Sequence, residues 1–351
     1  MSRERFLRLL LVVVSCLAAL GILELACRVI GVGSPNPHLT EETGLFVPVS
    51  DPEISYRLKP GFERSVYGTS VRINSRGLRE SESVDYGAHE GVFRILCLGD
   101  SVVFGFGVPQ ERSFPAAMEA LLNSRGEIRF QVVNTGVPGY NTVQEVRFLE
   151  VEGCRYLPDL VLLSLVINDP EGVRSLDSEG HLLPVAEDIW LRLFREYGSL
   201  GAPDSASHLY NGLYRALMPL SSRYRRMVQE AVEYQTEEIF THPGWQACQQ
   251  ALVRLREWGD AHERPVVPVI LPVLTDFKNH PYLASYQRLA DACRESGLDP
   301  IEAWPALQQH DPDDLRVHPM DGHPGVYGHR VIAQFLFEEL SRRSYWRPQH
   351  E

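Results

Sequence analysis

Hydrophobic and polar positions alternate in two distinct rhythms along this chain. From Phe93 the pattern is a short apolar run to Leu98, then a Gly-Asp-Ser turn, then helical periodicity from a Ser113 cap through Leu122. The same order recurs with a strand over Phe130–Val133 and a helix over about Thr142–Glu152. Two further apolar runs follow, Leu160–Ile167 and Val266–Val273, and an apolar helix over Val331–Leu340 closes the chain. Strands separated by helices predict an α/β domain built on a parallel, doubly wound sheet, here assigned to residues 92–345.

Three other stretches break this rhythm. Residues 34–91 show short alternating segments such as Tyr56-Arg57-Leu58 and Val71-Arg72-Ile73 around Pro60-Gly61, which predict small β-hairpins rather than a second core. Residues 170–264 carry helical spacing, Leu209, Leu213 and Leu217 before a breaking Pro219, then Trp245, Cys248, Leu252 and Leu255. An insertion at the carboxyl end of a strand reads as a lid, an acceptor platform or a packing decoration. The first 33 residues contain an apolar run from Leu9 to Leu23 that continues, past Glu24 and Arg28, to Val32. That is about the 20 residues a spanning helix needs. Arg3, Arg5 and Arg8 precede it, which assigns that flank to the cytoplasm and the remainder to the outside. No Ala-x-Ala cleavage site follows the run, so the reading is an uncleaved, single-pass signal anchor in the cell membrane; a cleaved signal and a lipoprotein site at Cys16 are the alternatives. Glu24 and Arg28 stand one helical turn apart and are expected to pair.

Composition narrows the function. In 351 residues, 44% hydrophobic and 23% charged is ordinary for a folded protein. The formal net charge of -12 excludes nucleic-acid binding as the main task, because that task needs a concentrated basic face. The six cysteines form no CxxC pair and have no histidine at ligand spacing, so neither zinc nor another metal is expected. Cys154, Cys248 and Cys293 are the three that could enter a disulfide, and none is predicted.

The candidate chemistry lies in four segments. Ser101 follows the first apolar strand and precedes a helix, with Gly105 and Gly107 allowing a tight loop, so its hydroxyl faces the crevice at the strand ends. Acyl transfer from a serine needs a base for its proton and donors aimed at the nascent oxyanion. The loop Asn134-Thr135-Gly136-Val137-Pro138-Gly139-Tyr140-Asn141 can offer the Gly139 N–H, and Asn168, at the end of the next strand, can offer a side-chain amide. Near the C-terminus stands Asp321-Gly322-His323; in an extended loop residues two apart project to one side, so the Asp321 carboxylate can hold the His323 ring. His318 and His329 are rival bases, but the first precedes the acid and the second belongs to the helical stretch.

Taken in this order, these segments resemble the blocks of the SGNH (GDSL-like) hydrolase family over about Arg94–Leu340. The resemblance implies a flavodoxin-like sheet, Ser101 as nucleophile and first oxyanion donor, Gly139 and Asn168 as further donors, His323 as base and Asp321 as its orienting acid. It implies no cofactor. Two positions depart from the family pattern: Val166 stands where glycine is common, and the acid lies one residue closer to the histidine than usual. The Asp-x-His spacing resembles alginate O-acetyltransferase relatives, and with an extracytoplasmic anchor it implies a serine esterase or O-acyltransferase acting on acyl esters of cell-envelope polysaccharide. The other readings are a lipase- or thioesterase-like hydrolase and an inactive polysaccharide-binding or assembly module. A nucleotide-binding Rossmann domain fails because Gly105-Phe106-Gly107 lacks a third glycine. The sequence leaves the oligomeric state open.

Overall fold

The computed structural model describes residues 2–34, 44–80, 84–87, 90–126, 128–183, 207–319 and 321–346. They fall into two compact units. One comprises residues 2–34 with 207–231, and the other comprises the remaining described residues.

The larger unit holds the sheet. Four short strands come first, β1 (Phe46–Pro48), β2 (Tyr56–Leu58), β3 (Glu63–Val66) and β4 (Thr69–Arg72), paired as the antiparallel hairpins β1–β2 and β3–β4. The central sheet is built from β5 (Val92–Leu98), β6 (Arg129–Asn134), β7 (Leu160–Leu165), β10 (Val266–Ile270) and β11 (Ile301–Glu302). Between β7 and β10 a small hairpin pairs β8 (Ser175–Leu176) with β9 (Leu182–Leu183). The sheet order is β6-β5-β7-β10-β11 with every pairing parallel, the flavodoxin-like arrangement. The near-continuous apolar runs in β5 and β7 follow from that architecture, because helices cover both faces and leave no solvent side. One face packs Ile95, Cys97 and Leu162 against the helices Phe114–Asn123 and Val326–Arg343; the other packs Leu96, Leu98, Leu163 and Leu165 against Thr142–Val151, Pro243–His262 and Leu283–Glu295.

Several boundaries shift from expectation for local reasons. The run Leu160–Ile167 stops as a strand at Leu165, because the Asp169 carboxylate accepts the Val166 N–H and folds the chain into a turn. Ser113 occupies the cap position, yet its hydroxyl donates to the Gln110 carbonyl and not into the helix. The last helix begins at Val326, five residues before its apolar periodicity does. The residues 44–78 form hairpins and also bury an apolar cluster. Leu45, Tyr56, Leu58, Tyr67 and Ile73 close it together with Phe104, Val137 and Tyr140, which belong to the loops after β5 and β6.

In the smaller unit the helix Arg3–Ile30 has a mean hydropathy of 2.6 over its most apolar window and is long and apolar enough to cross a membrane. Arg28 Nε donates to Glu24 Oε1 at 2.7 Å, the expected pair. The helical spacing around Leu209, Leu213 and Leu217 forms the helix His208–Leu217, and Pro219 lies in the 3-10 turn that ends it. The stretch 184–206 of the predicted insertion lies outside the described residues.

Candidate active site

Three crossover loops meet at the carboxyl ends of β5, β6 and β7, where the chain direction across the sheet reverses and ligands of open α/β sheets bind. The loop after β5 is shaped by its glycines. A Cβ at Gly99 would lie 2.1 Å from Val103 Cγ2 and 3.0 Å from Ser164 Cβ on β7, so glycine lets the turn sit between the following helix and the neighbouring strand. Asp100 then caps the four-residue helix Ser101–Phe104, accepting the Val102 N–H at 2.9 Å, and Gly105 ends it at φ +85°. As the first helical residue, Ser101 keeps an N–H with no intrahelical acceptor.

The Ser101 hydroxyl lies 2.8 Å from His323 Nε2. His323 Nδ1 lies 2.6 Å from Asp321 Oδ1, and the same oxygen accepts the His323 backbone N–H at 3.0 Å. Asp321 and His323 stand on β13 (Asp321–Pro324), paired antiparallel with β12 (Arg316–His318), so the extended backbone aims both side chains one way. The acid is the more enclosed, its side chain 11% exposed against 31% for the imidazole. A carboxylate on Nδ1 fixes the tautomer whose Nε2 lone pair faces the serine, and it stabilises the imidazolium that forms when the proton arrives.

Gly139 adopts φ +81°, and a Cβ there would meet the Tyr56 hydroxyl at 2.9 Å. Its loop is tied to the serine loop through Val137 N–H to the Gly99 carbonyl at 3.0 Å and Asn134 Nδ2 to the Val103 carbonyl at 2.8 Å. Among the described residues the Gly139 N–H has no acceptor. No direct bond links Gly139 to Ser101. Asn168 Nδ2 lies 3.4 Å from Asp100 Oδ2, the oxygen that also lies 3.3 Å from Ser101 Oγ. The structure thus joins Ser101, His323 and Asp321 in one chain of bonds and brings Asn168 to the neighbouring carboxylate. Of the rival bases, His329 is fully buried: its Nδ1 accepts the Phe114 N–H at 3.1 Å, and burial pushes its pKa down to about 3. His318 is buried in β12, opposite Asp321.

Other residues shape the site without a signal in the sequence. Phe106 stacks on the His323 ring, centroids 4.3 Å apart, and Tyr67 packs on Phe106 at the same distance. Arg79, wholly buried, donates to the carbonyls of Phe104, Gly105 and Val108 at 2.9, 2.5 and 2.7 Å, filling the concave side of the loop after Ser101. Burial lowers its pKa to about 10. The Tyr56 hydroxyl donates to the Pro138 carbonyl at 3.0 Å, beside Gly139. Beneath Asn168, Asp169 accepts from Thr142 Oγ1 and from the Val166 N–H, and Glu145 is fully enclosed. Burial raises both carboxyls well above the usual range, and each is raised further by neighbouring acids, including Asp100.

The sequence model of the GDSL-like Lipase/Acylhydrolase family matches residues 97–331, roughly two thirds of the chain. The chain belongs to this family. GDSL-like, or SGNH, proteins are ester hydrolases, and the family match spans every loop described above. An arylesterase from Vibrio mimicus is 23% identical over 158 residues, 43% of this chain and 76% of that protein. Among solved structures, a lipase/acylhydrolase from Enterococcus faecalis aligns at 13% identity and a TM-score of 0.37, covering 74% of this chain and all of that one. A catalytic mutant of an acetylxylan esterase from Geobacillus stearothermophilus aligns at 17% identity and a TM-score of 0.41, covering 70% and 93%.

Proposed function

We propose that this GDSL-like hydrolase is a membrane-anchored serine esterase or O-acyltransferase that works through an acyl-enzyme on ester-linked acyl groups of cell-envelope carbohydrate. The observation that carries the reading is the continuous bonding of Ser101 Oγ to His323 Nε2 and of His323 Nδ1 to Asp321. Ser101 Oγ attacks the ester carbonyl carbon while its proton passes to His323 Nε2, and Asp321 balances the imidazolium. The oxygen that becomes negative is met by the N–H groups of Ser101 and Gly139 and by Asn168 Nδ2. The long 3.4 Å bond from Asn168 to Asp100 is weak enough to be given up for that oxygen. His323 then returns its proton to the departing alkoxide, leaving an alcohol and the acyl-Ser101 ester. Water or a sugar hydroxyl, deprotonated by the same imidazole, attacks the acyl carbon and restores the serine.

The Asp-x-His spacing and the helix Arg3–Ile30 support the narrower part of the reading: an anchored enzyme facing envelope polysaccharide. Nitrophenol release from nitrophenyl acetate tests it, alone and with added polysaccharide, with the acetyl group followed to its product. Nitrophenol released together with free acetate from the small ester alone identifies a hydrolase, and nitrophenol release that requires the polysaccharide and leaves the acetyl group on it identifies a transferase. A folded wild-type protein that releases no nitrophenol under either condition contradicts both.

A further inference from the structure

The helix His208–Leu217 is two-faced. On one side Asn211 is buried, Gly212 lies under Val32, and Arg215 donates to the Ser34 carbonyl at 2.5 Å. A Cβ on Gly33 would fall 1.9 Å from the His208 carbonyl oxygen, so the chain leaving the apolar helix is pressed onto this side without room for a side chain. The opposite side is an open apolar stripe. Tyr210, Leu213, Leu217 and Leu220 recur at three- and four-residue spacing and are 50%, 52%, 58% and 70% exposed. Arg223, Arg225 and Arg226, all exposed, follow directly.

What joins this helix to the apolar one is Glu24. Its carboxylate accepts from Ser207 Oγ at 2.9 Å and from the His208 and Leu209 N–H groups at 3.1 and 2.8 Å, in addition to Arg28. A carboxylate from one helix thus satisfies the unpaired N–H groups at the start of another. Glu24 lies six residues before the end of the helix Arg3–Ile30, about 9 Å along its axis. The helix His208–Leu217 therefore begins beside the last apolar turns, where Leu25, Val29 and Ile30 are themselves exposed. The stripe thus starts at Tyr210, beside exposed apolar side chains of the other helix, and continues past that helix's end, where Arg215 meets Ser34.

We propose that the helix His208–Leu217, with Leu220, is an interfacial membrane helix: its apolar stripe sinks into the leaflet that the anchor leaves, and Arg223, Arg225 and Arg226 face the lipid phosphates. The inference rests on the anchor reading above and extends it to a second contact between the insertion and the bilayer. An apolar stripe followed by arginines is the composition that binds at the boundary of headgroups and acyl chains. Glu24 is tolerated near the membrane because its oxygens are already occupied by donors.

Bromine-labelled lipid tests this in the full chain reconstituted into phosphatidylcholine–phosphatidylglycerol vesicles, with bromines on the upper acyl carbons. The emission that each of L217W, L17W and Q287W adds to that of the wild-type protein is compared in brominated and unbrominated vesicles. The inference expects the added emission of L217W to be strongly quenched, as in L17W, while that of Q287W, on an exposed surface of the hydrolase unit, is unaffected. Quenching of L17W without quenching of L217W overturns the inference and leaves the anchor standing. Quenching of neither removes the anchor and the inference with it.

Discussion

The β-rich segment 44–80 reads in the sequence as small hairpins and the helical insertion as a lid, an acceptor platform or a decoration, and the structure uses the two in opposite ways. The segment has the shorter elements and the more polar faces, yet Tyr56, Tyr67 and Arg79 reach the loops after β5 and β6, and Tyr67 is one aromatic ring removed from His323. The insertion has long amphipathic helices, and it divides: Pro243–His262 covers the sheet, while His208–Leu217 joins the N-terminal helix. An element's own periodicity shows that one face seeks cover; the partner surface decides whether that cover is a core, an active-site loop or a lipid.

The largest effect is expected at the reacting atoms. Ser101→Ala should remove nearly all ester cleavage, by roughly 1,000-fold or more, while the melting temperature stays put, because a half-exposed hydroxyl contributes little to packing. Next comes the segment's deepest contact. Arg79→Leu strands three carbonyls and should cost about 3 kcal/mol or more, read as a lowered denaturant midpoint, with activity falling alongside. If Arg79→Leu leaves both unchanged, the segment is a decoration after all. Phe106→Ala should reduce kcat by roughly 10-fold to 100-fold with a smaller change in KM, because the imidazole loses the ring that fixes its plane.

The titrations set two further limits. The unfolded chain protonates His329 below about pH 6.5, and the folded chain refuses that proton until about pH 3, so stability falls as pH drops through that window. Glu80, which accepts the Asn134 N–H and is raised by burial to about 8, acts in the other direction: the folded chain keeps a proton that the unfolded chain releases near 4.5, so stability falls as pH rises from about 4.5 to 8. Melting temperature against pH should therefore be domed, and Glu80→Gln should make the alkaline limb shallower while leaving the acid limb unchanged, the rest of the alkaline fall belonging to the buried Asp169 and Glu145. The smallest effect belongs to the insertion. Leu213→Ser, on the exposed stripe, should change stability in detergent by no more than about 0.5 kcal/mol and leave esterase activity unaltered.

Ser101, Asp321 and His323 were legible in the sequence because each sits in a short segment whose local geometry is dictated by neighbours in sequence: glycines at the turn after β5, and an extended Asp-x-His run. The sheet was legible because a strand buried on both faces must be apolar throughout. Arg79 was not, since a buried arginine is stable here only through three carbonyls contributed some 25 to 29 positions further on. Phe106 carries no local signal of its stacking on His323, and nothing in the residues around Glu145 shows that it is buried. The hairpin of β12 and β13 has no signal in the sequence because Asp-Gly-His-Pro lacks the β-branched residues that mark a strand.

The central claim is that Ser101 is activated by His323. Peptide mass spectrometry after treatment with a fluorophosphonate tests it directly. A single phosphonyl adduct on the peptide containing Ser101 is expected in the wild-type protein, and its loss in folded His323→Ala. An unlabelled Ser101 in folded wild-type protein, or labelling that persists at the same rate without His323, would contradict it.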